Sequence, residues 1–194
     1  MPAKFAAEAH GDQQYAGLPY SYHLEKVEGI LKEFGFTGED WIAAARLHDV
    51  IEDTMKDLTP EERREIVRKK FGADVTLLVW AVSGIGPNRK ARNESIYAKL
   101  AEYPRACTLK VADRIANVEA SVKDPGTGQV NIGMAKMYLK ERARFREVCR
   151  NHVIKPLWDR LERAYEAAEA ALVAAGSEVV PEPTLRAEAV QAKD

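Results

Sequence analysis

Two cysteines in 194 residues are too few for a disulfide framework, and Cys107 and Cys149 stand too far apart for a CxxC site. Both fall in helical patterns, where a buried free thiol is the ordinary outcome. No apolar run approaches the roughly 20 residues of a membrane span. Met1-Pro2-Ala3-Lys4 lacks the long apolar stretch of a secretory leader. A net charge of -1 excludes any global pull toward nucleic acid or a membrane surface. There is no internal repeat and no composition shift that marks a second domain. The expected setting is cytoplasmic, with no nucleic acid or membrane as partner.

Hydrophobic residues make up 46% of the chain and charged residues 30%, the balance of a globular domain large enough for one sizeable core. Apolar periodicity is helical nearly throughout, so an all-α fold is expected. A first helix is expected over Lys4 to His10, then a loop from Gly11 to Tyr20 with Gly17 and Pro19 as breakers. Tyr22 to Phe34 carries a helical stripe of Leu24, Val27, Ile30 and Leu31. Thr37 and Asp40 resemble a capping box opening the next helix. Thr59-Pro60-Glu61-Glu62 is a stronger start signal, with Thr at the N-cap, Pro at N1 and Glu at N3. Val75 to Val82 is almost wholly apolar and reads as a buried helix; a strand is the alternative, but nothing nearby offers it a partner. Ser83 to Asn93 reads as a basic, glycine-containing loop, either solvated or clamped over an anion. Helices follow over Pro104 to Val122, Asn131 to His152 and Pro156 to Ala175, and residues 176–194 have the composition of a disordered tail. The chain divides into a domain over 1–155, a C-terminal helix over 156–175 packed on it, and that tail. The alanine-rich helix can equally pack on another copy of the chain as a homo-oligomer contact.

The most informative stretch is Leu47-His48-Asp49-Val50-Ile51-Glu52-Asp53-Thr54. On one helix, His48/Glu52 and Asp49/Asp53 are i,i+4 pairs, so all four share a sector opposite Ala43, Ala44, Leu47, Val50 and Ile51. Three carboxyls that close repel one another, and a bound cation is the simplest remedy. The bland alternative is a solvated acidic face. A metal would need further ligands, for which His10, His23, His152 and buried aspartates are available. Asp113 interrupts the apolar seam Leu109-Lys110-Val111-Ala112-Asp113-Arg114-Ile115-Ala116-Asn117-Val118. A buried carboxylate costs several kcal/mol unless paired or ligated, so Asp113 takes either a metal or a salt bridge to Lys110 or Arg114.

These segments, with Ala9-His10-Gly11-Asp12-Gln13, Gly17-Leu18-Pro19-Tyr20-Ser21-Tyr22-His23 and Phe71-Gly72, stand in one order. In that order they resemble the HD-domain metal-dependent phosphohydrolases. The resemblance is closest to the RelA/SpoT hydrolase domain and the Mesh1-like small alarmone hydrolases, and spans residues 4–150. It implies an HD-domain helical bundle in which His23, His48, Asp49 and Asp113 ligate one divalent metal. That metal is Mn²⁺ in the family, and other divalent transition metals suit the same N/O donor set. It implies Glu52 and Asp53 as the catalytic acids and Asn117 as a substrate contact. Arg89, Arg92 and Lys99 can meet a polyphosphate, as can Lys136 and Arg142. Tyr138 is either a stacking surface for the nucleotide or a core aromatic. The reaction the resemblance implies is removal of the 3′-pyrophosphate of (p)ppGpp, giving GDP or GTP. The chain departs from that pattern in two places. Gln13-Gln14-Tyr15-Ala16 is shorter than the family's stretch and lacks its Arg, and Ala116 stands where His or Tyr is usual. Both changes bear on base recognition. Hydrolysis of a (d)NTP or NADPH, or nucleotide sensing without turnover, are the alternatives. A pure binder has no need of Glu52 and Asp53 beside an anion, and a purely structural bundle leaves Asp113 unexplained.

Overall fold

The structure, a computed structural model, describes residues 1–178. It is an all-α bundle with one small hairpin. In order it comprises α1 (Pro2–His10), β1 (Gln14–Tyr15), β2 (Leu18–Pro19), α2 (Ser21–Glu33), α3 (Glu39–Leu47), α4 (Val50–Asp53), α5 (Pro60–Phe71) and α6 (Ala73–Val82). It continues with α7 (Arg89–Glu102), α8 (Cys107–Val122), α9 (Ile132–Cys149) and α10 (Lys155–Ala174). Single 3₁₀ turns at Pro104–Ala106 and Arg150–His152 precede α8 and follow α9.

The bundle is built around α8, which packs against α2, α3, α9 and α10. Leu109, Val111, Ala112, Ile115 and Val118 of α8 are wholly buried. From the other side α10 contributes Leu157, Trp158, Leu161, Tyr165, Ala168 and Leu172, spaced at three and four residues so that they form one stripe. Each large side chain in that seam stabilises the fold by about 1.5–3 kcal/mol. Cys107 and Cys149 are both buried as free thiols. No helix among the described residues is long and apolar enough to cross a membrane. Gly176, at φ 67°, follows α10. Of the expected tail, residues 179–194 lie outside the described residues.

The cap at Thr59 forms as the sequence predicts. Its Oγ1 accepts from the Glu62 N–H at 3.2 Å, and the Glu62 carboxylate accepts from the Thr59 N–H at 2.8 Å. The box expected at Thr37 and Asp40 does not form. Gly38 is the N-cap of α3 with no side-chain bond, because the Asp40 carboxylate is taken by Arg105, whose guanidinium lies 4.9 Å over Trp41.

Three further expectations change. The loop at 11–20 contains the hairpin, with Gln14 opposite Pro19 and a turn through Ala16 (φ 51°) and Gly17 (φ 78°). Two positive φ values give the twist that a two-residue hairpin needs. The basic segment is not all loop. Asn88 Oδ1 accepts from the Ala91 N–H at 3.0 Å and caps α7, so Arg89, Lys90, Arg92 and Asn93 lie on the first turns of that helix. Finally, the helix through His48 is interrupted. α3 stops at Leu47, Asp49 takes φ −97° and ψ −6°, and α4 begins at Val50 as the Asp53 N–H bonds the Asp49 carbonyl at 2.8 Å. Thr54 Oγ1 donates to the Val50 carbonyl at 2.8 Å and closes this short helix.

Candidate metal centre and its cleft

Three elements contribute the four donors. His23 lies in the first turn of α2, His48 and Asp49 in the turn between α3 and α4, and Asp113 in the middle of α8. The His23 and His48 Nε2 atoms are 3.2 Å apart. Asp49 Oδ2 lies 3.0 Å from His48 Nε2 and 3.6 Å from His23 Nε2. Asp113 Oδ1 lies 3.2 Å from His23 Nε2 and 3.6 Å from His48 Nε2. Donors bound about 2.1 Å from a shared centre lie about 3.0 Å apart at right angles and about 3.4 Å apart at the tetrahedral angle. The observed separations match the edges of such a polyhedron. His23, His48 and Asp49 form the tightest group, with donor atoms all within 4.8 Å of one another. Asp113 joins them through its contacts to both rings.

The surroundings fix which atoms face inward. His48 Nδ1 donates to the Ala45 carbonyl at 2.8 Å, which leaves Nε2 with its lone pair toward the cluster. Tyr20 donates its hydroxyl to Asp49 Oδ2 at 2.6 Å. Burial, then Asp49, push that phenol well above its usual range, so it stays a donor. Asp113 is shared: Oδ1 faces the imidazoles, while Oδ2 accepts from Lys110 Nζ at 2.8 Å. The two roles open to Asp113, ligand and ion-pair partner, are thus divided between its oxygens.

The charges explain why a cation suits this place. Burial opposes ionisation of Asp49 and Asp113, yet His48 beside Asp49, and Lys110 with the two imidazoles beside Asp113, hold both carboxyls below the usual range. Burial likewise opposes a charged His48, yet Asp49 and Asp113 drive it well above its usual range. The cluster draws a proton onto an imidazole to balance two carboxylates, and a divalent cation replaces such a proton directly. The donor set therefore fits a divalent metal. With no thiolate it does not resemble a structural zinc site.

The cleft in front of this cluster encloses about 140 Å³. Glu52 and Asp53 line it, as do Asn117, Arg89, Arg92 and Tyr138. Glu52 Oε2 accepts from the Gly84 N–H at 2.5 Å, and its Oε1 lies 3.4 Å from Arg92 Nε. Burial raises the Glu52 carboxyl, Lys110 and the Gly84 N–H pull it back, and Asp49 and Asp53 add to the rise. Asp53 Oδ2 accepts from Tyr20 Oη at 3.3 Å and Gln13 Nε2 at 3.4 Å. Asn117 lies between the metal cluster and the hairpin: Nδ2 donates to Asp113 Oδ1 at 2.6 Å, and Oδ1 accepts from Tyr15 Oη at 3.0 Å.

Several cations anticipated from sequence are placed differently. Arg89 is held in a bidentate pair with Glu141, at 2.6 and 3.0 Å, on the cleft wall. Lys99 turns away from the cleft. Its ammonium bonds the Ser83 carbonyl and lies 4.5 Å over Trp80, and burial lowers it to about 8. Arg142 is directed to α10, where it donates to Glu169 at 2.9 Å. Tyr138 is both core and wall: it is buried, and Arg89 and Arg114 lie 5.4 and 4.8 Å over its ring.

Sequence reasoning missed four residues here. Arg114 is buried, lines the cleft and donates to Glu141 at 2.9 Å, and Glu141 thereby gathers Arg89, Asn93 and Arg114. Tyr20 holds Asp49, and Tyr15 stacks on His23 at 4.6 Å. Arg114 was visible as the neighbour of Asp113, but nothing local to Glu141 marks it. His10 stays outside the metal set. It stacks on Tyr20 at 4.2 Å and pairs its Nδ1 with Gln13 at 2.9 Å.

The HD domain family model matches residues 3–133. Among solved structures, one described as a metazoan ortholog of SpoT that hydrolyzes ppGpp and plays a role in starvation responses is similar to this chain. It has a TM-score of 0.58 at 25% identity, covering 90% of this chain and 93% of that one. A search of curated proteins gives no match.

Proposed function

The chain belongs to the HD domain family, with the site of a metal-dependent phosphohydrolase, and we propose that its substrate is (p)ppGpp, cleaved to GDP or GTP and pyrophosphate. The observation that carries the hydrolase reading is one cleft that joins the four-donor cluster, the Glu52–Asp53 pair and three arginines. The likeness to a ppGpp hydrolase over 90% of the chain supports the substrate. Two imidazoles and two carboxylates suit Mn, Fe, Co or Zn alike, and the resemblance to the alarmone hydrolases favours Mn²⁺ among them.

His23, His48, Asp49 and Asp113 would hold the divalent ion, which when bound would supply Lewis acidity toward a phosphoryl oxygen and lower the pKa of a water. The chain's own groups do the rest. Glu52 Oε1 takes the proton of the attacking water, its other oxygen being committed to Gly84. That proton is then available to the departing 3′ oxygen. Asp53, tethered by Tyr20 and Gln13, orients the water. Arg92, Arg89 and Arg114 meet the phosphoryl charge. At about 140 Å³ the cleft holds only the phosphoryl end of a nucleotide. A second cleft of about 380 Å³, lined by Tyr15, His23, Tyr22, Lys26, Ala116 and Lys123, shares His23 with the first and is where we place the remainder.

One observation favours a second reading, the hydrolysis of another nucleotide such as a (d)NTP or NADPH. Tyr15 occupies the hairpin where a base-holding cation is expected, and its hydroxyl is bonded to Asn117. Purified protein with Mn²⁺, offered (p)ppGpp, dNTPs and NADPH in parallel, separates the two. Pyrophosphate released from (p)ppGpp with the highest kcat/KM supports the first. Turnover of another nucleotide alone rejects the substrate and keeps the site, and no turnover on the whole panel rejects the enzyme in favour of a sensor.

A further inference from the structure

On the far side of Glu52 and Asp53 is a separate cavity of about 320 Å³, larger than the metal cleft. The two cavities share Glu52, Asp53 and Arg92 as a partition. Three cations line the outer one. Arg63 is 8% exposed, and all three of its hydrogen bonds go to carbonyls: Nε and Nη2 to Leu58 at 3.0 and 2.6 Å, and Nη1 to Ile51 at 2.8 Å. Among the described residues no carboxylate forms an ion pair with it, and its hydrogen bonds go to backbone carbonyls. Lys56 is exposed at the rim, carried back over the Glu52 main-chain carbonyl by a turn whose Met55 has φ 49°. The Arg92 side chain is 39% exposed, and its Nε lies 3.4 Å from Glu52 Oε1. The two acids are already engaged, Glu52 by Gly84 and Arg92, and Asp53 by Tyr20 and Gln13. Two glycines of the lining let the 84–86 segment pack closely against Glu52 and the first turn of α7. A Cβ at Gly84 would lie 2.7 Å from Arg92 Cβ and 2.9 Å from Glu52 Oε2, and one at Gly86 would lie 2.7 Å from Ala91 Cβ.

We propose that this outer cavity is an anion site for the phosphoryl product, inorganic pyrophosphate, which passes the Glu52–Asp53 partition and is received by Arg92, Lys56 and Arg63. The assignment rests on the hydrolase reading, since it needs a pyrophosphate to leave the metal cleft. A dianionic or more highly charged group with two phosphoryl ends offers acceptors to more than one of the three lining cations at once. Orthophosphate offers one end only.

The test is calorimetric titration of the full chain, metal-free in EDTA, with pyrophosphate and separately with orthophosphate. Wild type is expected to bind pyrophosphate at least tenfold more tightly than orthophosphate. Lys56→Glu, an exposed substitution whose melting curve is checked against wild type, is expected to weaken pyrophosphate at least tenfold. Arg89→Ala, in the metal cleft alone, is expected to leave it unchanged. No binding by wild type overturns the proposal. So does loss in Arg89→Ala with retention in Lys56→Glu, which places the ion in the metal cleft, and so does equal affinity for the two anions. The readout involves neither metal nor turnover, so a failed (p)ppGpp assay and a failed anion site give different results.

Discussion

The two faces of α8 are held by different forces. Toward the cleft it presents Lys110, Asp113, Arg114 and Asn117, at helical spacing, and each is fixed by a polar partner. Toward the core it presents Leu109, Ala112, Ile115 and Val118, wholly buried and held by shape where α10 packs. Polar contacts set direction, because hydrogen bonds are angular, whereas apolar packing supplies most of the free energy. One helix can therefore position a reactive cluster and anchor the fold. Substitutions on the two sides should separate chemistry from stability.

The largest effect is expected at Asp49. Asp49→Ala removes a donor that touches both imidazoles and Tyr20. Mn²⁺ affinity is expected to fall by more than about 100-fold while the protein stays folded. Tight binding by the variant, measured by calorimetry, removes Asp49 from the ligand set. Glu52→Gln is the paired control: metal affinity stays and turnover falls by about 10²–10⁴. Because Glu52 titrates above the ordinary carboxylate value of about 4.3, its base form is lost as pH falls through that raised pKa. The wild-type rate should then climb with pH from a point above the ordinary value, and the Gln variant should lack that limb.

On the apolar side, Trp158→Ala removes a 2%-exposed side chain that stacks on Phe145 and bonds Glu162 at 2.8 Å. The expected cost is about 3–5 kcal/mol in denaturant unfolding. Below its transition the variant should bind metal as wild type does. A tenfold loss of metal affinity in the folded variant would show that the two faces are coupled and break the comparison.

The same division governs what could be read from sequence. The apolar stripes of α2, α8 and α10 repeat every three to four residues, so periodicity alone predicts them, whereas α6 is legible only as an unbroken apolar run. The box at Thr59 is legible because all its groups lie within four residues. The break at His48–Asp49 is not, since propensity favours a continuous helix and the site's geometry overrides it. His48, Asp49, Glu52 and Asp53 cluster locally and attract notice. Tyr20 and Glu141 do not, because their partners lie 29 and 27 residues away. Lys99 illustrates the opposite error: positive charge near a cleft in sequence says nothing of direction, and here it lies over Trp80.

A smaller effect is expected from Tyr20→Phe, which keeps the stack on His10 and deletes the bond to Asp49. Metal affinity should fall about tenfold, the lower end for a residue that orients a ligand. Thermal stability of the metal-free protein should move little. A loss as large as that of Asp49→Ala would mean that Tyr20 itself belongs to the donor set.

The smallest effect sharpens the comparison most, because it concerns stability yet lies on the side of the site. Ala16 has φ 51°, a conformation that costs an L-residue about 1–2 kcal/mol. Its carbonyl oxygen is pinned against the 124–128 turn, 2.0 Å from where a Cβ on Gly126 would stand. Ala16→Gly relieves the strain but adds freedom to the unfolded chain, which takes back about 0.4–1 kcal/mol. The net expectation is a gain of under about 1 kcal/mol in chemical denaturation, with metal affinity unchanged because Tyr15 keeps its bond to Asn117. A loss of stability would show that the Ala16 methyl packs favourably and the turn is not strained. A change in metal affinity would show instead that the hairpin, through Tyr15 on His23, sets the geometry of the ligands.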